Sequence, residues 1–98
     1  MLIYKYHPSV VTVSGAWSGN TARLNGGLCR QVYVKPASSD TTFTVEIIDK
    51  DDISVRTFEG CTLVSDFTAF FVEGIYTVSI SSASADEAFE VMLCINDA

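Results

Sequence analysis

The sequence predicts an all-β fold: a single antiparallel β-sandwich or jelly-roll-like domain of about seven or eight strands. Three observations predict it. Apolar and polar residues alternate with period two in one segment after another. Breaks rich in Gly, Pro, Asp and Ser recur at spacings of about 8–12 residues. Helical periodicity is almost missing.

Taken in order, residues 1–20 read as an N-terminal arm or edge strand followed by a loop, and residues 21–98 as the sandwich. Val10 to Ser14 is a short β-branched run ended by Gly15. Ser14 to Gly27 holds four of the six glycines and reads as a long loop. Leu28 to Lys35 reads as a strand with Leu28, Arg30, Val32 and Val34 on one face and Cys29, Gln31, Tyr33 and Lys35 on the other; Pro36 stops it. Thr42 to Ile48 alternates cleanly, with Phe43, Val45 and Ile47 inward. Asp49 to Asp52 is a turn and Ile53 to Phe58 its hairpin partner, with a break at Glu59-Gly60.

Thr62 to Val72 carries a short strand and then Phe67, Phe70 and Phe71. Ile75 to Ser81 places Tyr76, Val78 and Ile80 on one side. Ser81 to Glu87 is a small polar connection with room for one helical turn. Phe89, Val91, Leu93 and Ile95 alternate with polar or smaller residues as the closing strand.

Ninety-eight residues make one domain. Hydrophobic residues are 48% of them, more than a lone monomer of this size uses, which points to a subunit interface. Twelve acidic residues against six basic ones give a net charge of −6. That balance argues against nucleic acid, whose phosphates need clustered cations, and against an anionic membrane surface; the six cations look scattered. No apolar run approaches the ~18 residues of a membrane helix, and the first residues lack the marks of a secretory signal. Cys29, Cys61 and Cys94 are odd in number and widely spaced, so they read as free thiols of a reducing, cytosol-type compartment.

The chemistry of catalysis is hard to assemble from this chain. His7 is the single histidine, and a Ser-His-Asp or Cys-His arrangement has only that base to use. Asp49-Lys50-Asp51-Asp52 has the spacing of calcium ligands, but Ile53, Ser54 and Gly60 stand where an EF-hand needs oxygen, glycine and glutamate. A solvated turn explains it better. Asp86, Glu87 and Glu90 read as solvated acids rather than a glycosidase pair. No cofactor or metal site is expected, and the chain reads as a non-enzyme.

Trp17, with Asn20 and Arg23 nearby, suits either a sugar platform or an apolar anchor. Phe70 and Phe71 are adjacent, so an extended chain must send them to opposite faces. One of them is then exposed or buried against a partner. Together with Phe67 they are the best local sign of an interface. Leu2, Ile3, Tyr4 and Tyr6 of the N-terminal segment and Trp17 complete the expected contact set.

From Leu24 to the end the chain resembles small β-sandwich structural proteins, decoration or accessory, of tailed bacteriophage virions. Leu24-Asn-Gly26 leads into the strand Leu28 to Pro36, and a Thr-rich strand, Thr41 to Ile48, ends in the acidic turn Asp49 to Asp52. Gly74-Ile-Tyr-Thr-Val-Ser-Ile-Ser-Ser-Ala83 matches a G-x-Y-T-V-x-I-x-x-A pattern, and Phe89 to Ile95 matches the closing strand. The resemblance implies a virion component assembled in the host cytoplasm. The leading expectation is a capsid decoration, or cement, protein that braces the major capsid protein, with a homotrimer favoured. The alternatives are a tail, baseplate or fibre component, or a carbohydrate-binding host-attachment module.

Overall fold

Short alternating runs bounded by turn residues can bury their apolar sides only by pairing into sheets and stacking those sheets. The computed structural model describes residues 2–38 and 42–96. It does so through nine strands: β1 (Leu2–Tyr6), β2 (Ser9–Val11), β3 (Trp17–Asn20), β4 (Leu24–Pro36), β5 (Phe43–Ile48), β6 (Ser54–Cys61), β7 (Val64–Gly74), β8 (Thr77–Ser81) and β9 (Ala88–Asn96). All pairings are antiparallel.

β1 and β2 are one interrupted strand. Tyr6 lies opposite Leu93 and Ser9 opposite Glu90, so the register along β9 is unbroken across His7-Pro8. Pro8 has no N–H to give the ladder. Two four-stranded layers result, in the orders β1/β2–β9–β4–β7 and β3–β8–β5–β6. Apart from the β5–β6 hairpin, successive strands cross between layers in the order of a jelly roll.

The core lies between the layers. Phe43, Val45 and Ile47 of β5 meet Val78 and Ile80 of β8, all at most 1% exposed. Facing them are Val32 and Val34 of β4 with Val91, Leu93 and Ile95 of β9, at most 2% exposed. Each such side chain contributes about 1.5–3 kcal/mol on burial. Phe43 and Phe89 pack edge to face, ring centroids 5.0 Å apart.

Four local expectations are corrected. First, β4 does not keep one alternation. Relative to β9 it carries one extra residue between Cys29 and Gln31, a β-bulge at Arg30. The strand therefore turns over: Cys29 and Val32 are both buried, while Leu28 and Arg30 face out.

Second, Ser14 to Gly27 is not all loop. Trp17–Asn20 pairs with β8, and β4 already begins at Leu24. Residues 2–20 thus supply one edge strand of each sheet. Third, Glu59-Gly60 does not end β6. Gly60, at φ 61°, takes up a shift in register and the strand runs on to Cys61. Fourth, Ser81 to Glu87 forms no helical turn. Thr12, fully buried, holds it instead: its Oγ1 donates to the Ser84 carbonyl at 2.6 Å and accepts from the Glu87 amide at 2.9 Å.

Candidate functional site

Two of the carboxylates hold backbone amides. Asp49 Oδ1 accepts from the amides of Asp51 (2.8 Å) and Ile53 (3.0 Å), so this carboxylate caps its own turn. Glu87 Oε2 accepts from the Ser38 amide at 2.9 Å. His7 Nε2 sits 3.8 Å from Glu90 Oε1, and both side chains are open to solvent. Among the described residues no three His, Cys, Asp or Glu side chains gather as metal ligands.

The sequence-predicted contact residues divide into two groups. Tyr4, Tyr6 and Trp17 face inward from the edge strands β1 and β3 and partly cover the core. Trp17 lies opposite Ile80, with its indole so close over Gly19 that a β-carbon there would fall 2.6 Å from Trp17 Cζ2. Tyr6 Oη is equally near that point, and burial, with Tyr4 close by, raises the Tyr6 pKa. Tyr4 Oη accepts from the Ala22 amide at 3.2 Å. These three aromatic residues therefore seal the seam between the two sheets. Leu2 and Ile3 belong to β1, and their side chains lie outside the described residues.

The phenylalanines form the second group. On β7, Phe70 turns inward and packs on the core, while Phe71 is 59% and Phe67 79% exposed. The alternation of an extended chain produces this split. The end of β7 is pinned by Tyr76, whose Oη accepts from the Glu73 amide (3.2 Å) and donates to the Phe71 carbonyl (3.5 Å). Gly74, at φ 94°, then turns the chain.

Sheet register continues the apolar surface inward from β7. Leu28 stands opposite Phe71, Gln31 opposite both Phe67 and Cys94, and Tyr33 opposite both Ser65 and Met92. The bulge at Arg30 is what brings Leu28 to this outer side. Cations border the surface: Lys5 pairs with Cys94, Lys35 pairs with Glu90, and Arg30 is exposed at the bulge. Three of the six cations, scattered in sequence, thus share one face. The outer face of the other sheet differs in kind, carrying Thr44, Glu46, Thr57, Thr77 and Ser79.

Sequence reasoning missed Leu28, Tyr33, Met92 and the three cations. Only pairing across β4 and β9 assembles them, and no local pattern encodes that. Exposed apolar patches of this kind are the parts of a protein surface that partners most often cover. No protein-family model matches the chain, and no curated protein matches it.

Proposed function

We propose that the chain is a non-enzymatic structural protein of a tailed-phage virion, a capsid decoration protein, whose outer β9–β4–β7 face is buried during assembly. One observation carries this reading: β7 holds Phe67 and Phe71 out into solvent on a face where Leu28, Tyr33 and Met92 are half-buried. A full Phe side chain buries about 150–250 Å², so leaving two of them in water is costly unless a partner covers them.

The architecture supports the reading by analogy, because jelly rolls serve viral capsid proteins as well as lectins. The resemblance of Leu24 to Ile95 to virion proteins supports it too. Size is compatible. A standard interface takes about 800 Å² from each partner, and a molecule of 37 × 24 × 21 Å offers roughly that on one broad side. Repetition over a closed shell then multiplies a modest affinity through avidity.

The test is incorporation into particles. Virions produced with the wild-type chain should carry it in many copies on the head, located by cryo-electron microscopy. The double variant Phe67→Ser/Phe71→Ser should keep its fold and be lost from purified particles. A chain absent from virions, or a double variant incorporated as well as wild type, overturns the proposal; a few copies on the tail would replace the head assignment with a tail one.

A further inference from the structure

Charge divides this molecule unevenly. Its outer β9–β4–β7 face and the adjoining β1 carry Lys5, Arg30 and Lys35 with only Glu73 and Glu90. Of the twelve carboxylates, Asp40 and Asp97 lie outside the described residues. That leaves eight elsewhere, against three cations. In a chain of net charge −6, the aromatic face with the adjoining β1 carries one more cation than carboxylate among the described residues.

The chain also carries a projection of complementary character. In the β5–β6 turn Asp51 and Asp52 are exposed together with Lys50, and Ile53 beside them is 59% exposed. The turn is rigid. Asp49 Oδ1 holds the amides of Asp51 and Ile53, the Asp49 amide donates to the Ile53 carbonyl at 2.9 Å, and the Asp52 amide donates to the Asp49 carbonyl at 3.1 Å. An apolar side chain flanked by carboxylates is thus held out with little entropy left to lose on binding. The aromatic face shows the inverse arrangement, an apolar surface flanked by cations.

We propose that the protein self-associates head to tail, the β5–β6 turn of one copy docking through Ile53, Asp51 and Asp52 onto the Phe67–Phe71 face of the next. This rests on the proposed function and specifies it, because it names a second copy of this chain as the partner that covers the face. Two different surfaces of one chain make a heterologous contact, which closes into a ring or continues as a filament.

Heterologous contact has a signature that the test uses. One variant, Phe67→Ser/Phe71→Ser, loses the face, and another, Asp51→Lys/Ile53→Lys, loses the turn; circular dichroism and Trp17 fluorescence check that each is folded. In sedimentation velocity the wild type associates, and each variant alone does so at least about tenfold more weakly. An equimolar mixture of the two forms a 1:1 complex that grows no further, since each supplies the surface the other lacks. Wild-type association weakens as salt rises, because the cations and carboxylates that meet are screened.

A turn variant that associates as well as wild type overturns the proposal in favour of face-to-face pairing. A mixture that stays monomeric, or a wild type monomeric at every concentration, also overturns it. If the wild type stays monomeric while the face variant is still lost from virions, the virion reading stands and the face belongs to a different virion protein.

Discussion

The Arg56 guanidinium carbon stands 4.7 Å from the centroid of the Phe70 ring. Arg56 belongs to β6 of one sheet and Phe70 to β7 of the other, so this cation–π contact closes one open side of the sandwich. Arg56 also donates to the Val55 carbonyl at 2.7 Å. Arg56→Ala should cost about 1–2 kcal/mol in urea unfolding, from the lost ring contact and the packing of the arginine stem. Arg56→Lys should recover part of it. An alanine variant as stable as wild type would make the contact incidental.

The opposite side is closed by Trp17 over Gly19, and no space is left there for a methyl group. Gly19→Ala should lower stability by about 1–3 kcal/mol through overpacking. Trp17 is the single tryptophan, so its emission should shift in the same variant. In a Trp17→Leu background the Gly19→Ala change should cost much less, because its cause is the ring. Strictly additive effects in that double-mutant cycle would refute the account.

Thr12→Val removes a fully buried hydroxyl while keeping the shape of the side chain. It leaves the Ser84 carbonyl and the Glu87 amide without that partner, a loss of about 1–3 kcal/mol. Hydrogen exchange at Glu87 should accelerate in the variant, whereas Thr12→Ser should behave close to wild type. Unchanged exchange would show that Thr12 does not hold the loop.

Burial pushes the Cys29 thiol from its ordinary 9.0 up to about 11. The folded state therefore holds this proton more tightly than the unfolded chain does. The stability it confers is complete below pH 9.0 and is lost as pH rises toward about 11. Cys29→Ala should show a shallower alkaline decline than wild type across that window, and equal declines would contradict the burial. In native protein, Cys61 and Cys94 should react with a thiol reagent well before Cys29, which is fully buried.

Where side chains follow the pleat, the sequence reads directly. Phe43, Val45 and Ile47 alternate with Thr44 and Glu46 and are buried as that pattern demands. The split of Phe70 from Phe71 was legible for the same reason. Reading failed where the backbone departs from the pleat. The extra residue at Arg30 reverses the sides of β4, and only its pairing with β9 reveals the bulge. Gly15 and Gly19 suggested a loop, although Gly19 serves to make room for the Trp17 ring. The candidate surface was half legible: its phenylalanines lie on one strand, whereas its cations come from β1 and β4 and meet only across the sheet.

One strand makes the jelly roll a single cooperative object. β9 stands between the interrupted β1/β2 strand on one side and β4 on the other, so Tyr6, Val34 and the β9 residues between them join distant parts of the chain. Until β9 is available, the edge formed near the N-terminus has nothing to lean on and β4 shows a bare flank. Folding therefore waits on this late strand, at the slow pace that distant pairings impose, and a nascent chain lacking it displays its greasy interior to whatever chaperone or neighbour arrives first.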